Sequence, residues 1–129
     1  RIMKICILSS LIVQLTYSSV SQERIQIFMI LEESLVLRAV SAMLDIPLNT
    51  MDKLVMNAGK ELALRIADQL GVHRHLSSQY QLENSHIMTG EQFRKIFYSH
   101  IFDYSLLFNT GHGYFAFCAR LTQMSPPPY

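Results

Sequence analysis

The strongest constraint on this chain is a helical period in residues 48–71, LNTMDKLVMNAGKELALRIADQLG. Met51, Leu54, Val55, Ala58, Leu62, Ile66 and Leu70 recur at three- and four-residue spacing, so they define one apolar face of a helix. Asn49 or Thr50 is a suitable N-cap and Asp52 sits in the first turn, where the exposed backbone N–H groups favour an acid. Gly71 suits the left-handed position that ends a helix. Gly59 costs about 1 kcal/mol against alanine in a helix interior, which a close approach to a neighbouring element would explain.

The preceding stretch, SQERIQIFMILEESLVLRAVSAMLDIP (residues 21–47), reads as a second, longer helix over 22–46. Ser21 can cap it, Pro47 ends it, and Phe28, Leu31, Leu35, Val36, Ala39, Val40, Ala42 and Met43 form its stripe. In a second reading RIQIFMIL, residues 24–31, is a strand followed by a shorter helix. Residues 72–86 are polar and read as a short helix and a loop. Thr89 and Gln92 match a capping box, and Phe93, Ile96 and Phe97 follow at helical spacing. YSLLFN and YFAFCARL, separated by NTGHG, read as a β-hairpin with Phe115, Phe117 and Ala119 on one side and Tyr114, Ala116 and Cys118 on the other. Two strands alone are marginal, so they need the helices as a floor or a third strand, for which residues 5–13 or 24–31 are candidates. The expected fold class is α+β and mainly helical, with two or three amphipathic helices packed on a C-terminal hairpin.

Residues 1–21 admit two readings. Met3 and Lys4, the apolar run Ile5–Leu15, and Ser19 and Ser21 fit a secretory signal cleaved before Gln22. The β-branched run KICILSSLIV equally suits a first structural element. Arg1 and Ile2 precede Met3, as in a fragment or an extended reading frame. The expected divisions are 1–21, a globular domain over 22–124 and a proline-rich tail over 125–129. Secretion is the expected destination, with the cytoplasm as the alternative: cleavage would leave Cys118 alone, and none of Asn49, Asn57, Asn84 and Asn109 begins a glycosylation sequon.

Composition narrows the function. A formal charge of +1 supplies no basic surface for nucleic acid. The opening apolar run is too short to span a bilayer. His73 and His75 are two apart, and His86, His100, His112, Asp103 and Cys118 are further donors, but no second paired motif completes a zinc site, so no metal and no cofactor are expected. His112 lies too far along a strand from Cys118 to activate it, and Cys118 reads as a small core residue. The sharpest local motif is PPPY at the C-terminus. Pro126, Pro127 and Tyr129 fit the Pro-Pro-x-Tyr pattern, whose preformed polyproline geometry docks in WW-type domains when the chain is cytosolic.

Residues 89–113, TGEQFRKIFYSHIFDYSLLFNTGHG, resemble the start of the PAS-like region beside the haem domain of soluble guanylate cyclases. Phe93, Phe97, His100, Phe102, Asp103 and Gly113 carry the resemblance. The His100–Asp103 spacing is one residue short, the usual proline before the histidine is absent, and no functional residue is carried across. One expected function, of the kind the resemblance implies, is a sensory or regulatory module; it would bind a small ligand in a pocket between helices and hairpin, a discrete cavity lined by Phe97, Phe108, Phe115 and Phe117. The first expectation is different in class: a non-enzymatic interaction domain that presents an apolar, methionine-containing helical surface to a protein partner. A third is a fragment or orphan reading frame without a selected role.

Overall fold

The computed structural model describes residues 7–71, 79–99 and 102–123. After a short 3-10 turn at Ile7–Ser9 come β1 (Ser10–Ser19), β2 (Glu23–Glu32), α1 (Glu33–Leu44), α2 (Lys53–Gln69), β3 (Tyr80–Met88), α3 (Gly90–Ser99), β4 (Tyr104–Asn109) and β5 (Tyr114–Gln123). The strands form one five-stranded antiparallel sheet in the order β3-β1-β2-β5-β4. Among the described residues strand outweighs helix, 41% against 38%. The mainly helical class expected from the sequence is therefore wrong. The two C-terminal runs do pair, yet as the outer two strands of this sheet.

The long helix expected over 22–46 fails in its first half. Glu23–Glu32 is the central strand, with β1 on one side and β5 on the other. Five consecutive residues, Ile27–Leu31, are buried, because the sheet is covered on both faces at that point. A strand buried on both faces loses the polar alternation that marks a half-exposed strand, and its continuous apolar run then imitates one side of a helix. The β-branched Ile25, Ile27 and Ile30 and two paired neighbours decide for the strand. The first segment behaves alike. Ser10–Ser19 is β1, with seven buried residues in succession. Residues 72–78 lie outside the described residues, and the loop expected up to residue 86 is largely β3.

Strand parity sorts the core into two layers. Leu11, Val13, Leu15, Tyr17, Ile27, Met29 and Leu31 face α1 and α2, meeting Val36, Val40, Val55, Ala63 and Ala67. Ile12, Phe28, Ile30, Ala116 and Cys118 face the opposite side, where Phe93 of α3 packs on them. The rings of Phe28 and Phe93 lie 5.4 Å apart, and Phe102 meets Phe28 edge-on at 5.6 Å. The capping box forms as expected: Gln92 N–H donates to Thr89 Oγ1 at 3.1 Å, and Thr89 N–H donates to Gln92 Oε1 at 3.0 Å.

In α2 the expected face is rotated. Its buried line is Val55, Gly59, Ala63 and Ala67, while Leu54 and Leu70 are 57% and 43% exposed. Asp52, rather than Asn49 or Thr50, is the N-cap, accepting from Val55 N–H at 2.9 Å. Small residues face the sheet because the helix lies close to it, and the larger Met56, Leu62 and Ile66 flank the contact. A side chain at Gly59 would run into Leu11 and stand 3.1 Å from Val36 Cγ1. Gly59→Leu is therefore expected to destabilise the fold by at least about 2 kcal/mol, the overpacking cost exceeding any gain in helix propensity. Urea unfolding monitored by circular dichroism measures it.

Candidate functional site

The helical layer covers the sheet unevenly. α1 packs on β2 and β1, and α2 on β1 and β3. Among the described residues that layer meets the β4–β5 hairpin at its turn. There Gly113 sits against Ser34 and Leu35, with no room for a Cβ, and Glu32 Oε1 accepts Tyr114 N–H at 2.7 Å. Phe108 and Phe115 stack 4.6 Å apart beside this junction. Away from the turn the same face opens: Leu106 is 41% exposed, Leu121 51% and Tyr104 55%. Phe117 and Ala119 lie between them, half-buried. These side chains form an uncharged apolar strip.

β4 is also an edge, with no strand on its outer side among the described residues. Its six residues are in unbroken register with β5 and include no charge and no proline. Thr110 N–H donates to Gly113 C=O at 3.1 Å, which makes that pair a hydrogen-bonded one. By the alternation of an antiparallel ladder, Tyr104, Leu106 and Phe108 bond to β5, and the backbone groups of Ser105, Leu107 and Asn109 point outward. The opposite edge is built differently. β3 carries a bulge opposite Thr16 and Tyr17, exposes Gln81, Glu83, Asn84 and His86, and sends Glu83 to Arg24 at 3.5 Å. Bulges and charges are the devices that stop a sheet from adding strands, and Tyr104–Asn109 has neither; the charge that precedes it, Asp103, is turned inward, its N–H donating to Ala119 C=O at 3.0 Å and its carboxylate accepting Leu121 N–H at 2.7 Å.

The second face of the sheet is polar beyond α3. Gln14 and Thr16 are nearly buried there, and Arg120 donates through Nε to Gln26 Oε1 at 2.6 Å, its guanidinium 5.9 Å over the Phe28 ring. Cys118 lies on this face, fully buried, with Ser105 Oγ donating to Sγ at 3.8 Å. Burial pushes its thiol up to about 11, the Ser105 contact opposing this slightly. It stays a thiol at neutral pH and does not supply a nucleophile. The unfolded thiol ionises near 9 and the folded one near 11. Over that interval the unfolded state sheds its proton first, so stability falls as pH rises, by at most about 3 kcal/mol. Denaturant midpoints at pH 7 and pH 10.5, compared between wild type and Cys118→Ala, read this loss and its assignment.

The other sequence candidates do not converge. Phe97 packs with Phe93 and Phe102 on the α3 side, whereas Phe108, Phe115 and Phe117 lie on the α1 and α2 side. The sheet runs between them, so the expected four-phenylalanine cavity does not exist. One open cleft lies between the β1–β2 turn and the start of β3, lined by Ser18, Ser21, Tyr80 and Gln81. Among the described residues no three His, Cys, Asp or Glu side chains gather at a metal-binding distance. His86 and His112 are exposed and belong to different elements. His73, His75, His100 and the tail residues Pro126, Pro127 and Tyr129 lie outside the described residues. Among those described, no helix is long and apolar enough to cross a membrane.

The open strip was not singled out from the sequence. Its signal was the alternation of Tyr104, Leu106 and Phe108, which marks the face but not the missing cover. No family model matches this chain, and no curated protein or solved structure matches it.

Proposed function

We propose that this chain is a non-enzymatic protein-interaction domain that accepts an extended segment along β4. The observation that carries this reading is the contrast between its two sheet edges: β3 is bulged and charged, and β4 is regular, uncharged and flanked by exposed apolar side chains. An added strand satisfies the outward backbone groups of Ser105, Leu107 and Asn109, which supplies affinity, and its alternate side chains lie on Tyr104, Leu106 and Leu121, which supplies selectivity. The partner segment is uncharged on that face, because a carboxylate or ammonium laid on the strip would lose water without gaining a counter-charge. In this reading the interacting surface is a strand and a half-sheet, in place of the methionine-containing helical face expected from the sequence.

The test is selection of linear peptides from a random display library, followed by amide exchange of the domain with the winning peptide bound. Peptides with alternating apolar residues that slow exchange at Ser105, Leu107 and Asn109 are the expected result. Selected peptides that protect only α1, α2 or the β3 edge would refute the reading.

A further inference from the structure

We propose that the occupant of this edge is β4 of a second copy of the chain, giving a two-fold dimer with one continuous ten-stranded sheet built from two five-stranded ones. The inference rests on the reading that β4 accepts a strand.

β4 itself has the composition its edge asks of a partner. It is extended, uncharged, and apolar at 104, 106 and 108. A two-fold axis perpendicular to a sheet keeps each face on its own side, so even-numbered residues of one copy must oppose even-numbered residues of the other. The outward backbone groups at 105, 107 and 109 must supply the new bonds. An axis through Leu106 meets both conditions. Ser105 of each copy then exchanges N–H···O bonds with Leu107 of the other, Leu106 faces Leu106, and Tyr104 faces Phe108. All three apolar side chains of the strip meet apolar side chains, in the non-hydrogen-bonded positions where cross-strand side chains come closest. Asp103 falls opposite Asn109, so no like charges are opposed. Assembly stops at two, because among the described residues the only other edge of each copy is the bulged, charged β3.

The test is sedimentation velocity of the full chain from low to high micromolar concentration, with three variants. Wild type is expected to reach twice the monomer mass. Leu106→Lys sets two ammonium groups against each other at the axis, and Ser105→Pro removes one outward donor per copy while leaving the inner ladder. Both are expected to remain monomeric, with slow amide exchange at Phe117 and Ala119 reporting an intact hairpin. Leu106→Cys, made in a Cys6→Ser background, is expected to form a disulfide-linked dimer on mild oxidation. A wild type that stays monomeric, a dimer that survives both blocking variants with the hairpin intact, or growth beyond two copies would overturn the proposal. If the wild type is monomeric and library peptides still protect Ser105 and Leu107, the strand-accepting edge stands and only the second copy is lost.

Discussion

A chain beginning at Gln22 is expected not to fold. Cleavage after Ser21, the site at which the sequence fits a secretory signal, removes β1, and β1 is bonded on one side to β2 and on the other to β3. With it go Leu11, Ile12, Val13 and Leu15, all buried, from both core layers. Each such side chain contributes about 1.5–3 kcal/mol of transfer free energy, so the four together are of the same order as the 5–15 kcal/mol by which domains of this size are stable. The remaining β2 and β3 are also left with unpaired edges. The expected result is loss of the cooperative thermal transition in the 22–129 chain and its retention in the full chain. A 22–129 chain that unfolds cooperatively with unchanged midpoint would show that β1 is dispensable and would fit residues 1–21 as a removable leader.

The second large effect separates the two helical stripes read in the sequence. Phe28→Ala is expected to cost about 3–5 kcal/mol, the range for emptying a fully buried aromatic site. Phe28 touches the rings of Phe93 and Phe102 and lies under the Arg120 guanidinium, so the hole opens at the joint between sheet and α3. Leu54→Ala is expected to cost less than about 0.5 kcal/mol, because that side chain is 57% exposed. The sequence placed both residues on helical apolar faces. Equilibrium urea unfolding of the two variants distinguishes the placements, and equal losses would contradict the structure.

Legibility in the sequence followed local chemistry. Where a few neighbouring residues settle the conformation, the reading held: the reciprocal Thr89–Gln92 cap, Gly71 at φ 78° ending α2, and the hairpin around NTGHG with Phe115 and Cys118 on opposite faces. Residues 24–31, a candidate third strand on their β-branched content, do pair with β5. Where pairing partners distant in sequence decide, the reading failed. Ile27–Leu31 is apolar at every position, so periodicity cannot tell a doubly buried strand from a helix, and only β1 and β5 on either side resolve it. β3 looks like loop in the sequence because an edge strand exposed on much of its length has no apolar pattern to display. The interaction edge was hidden for a related reason. Tyr104, Leu106 and Phe108 announce an apolar face, but whether a helix covers it depends on where α1 and α2 come to rest.

The most direct test of the account is nuclear magnetic resonance of residues 23–32. The structure predicts cross-strand contacts from Phe28 to Gln14 on one side and to Cys118 on the other, from Ile30 to Ile12 and Ala116, and the slowest amide exchange of the chain in this segment. Contacts between residues three and four apart through 23–32, without the cross-strand set, would make that segment a helix and contradict the sheet on which both the fold and the proposed interface rest.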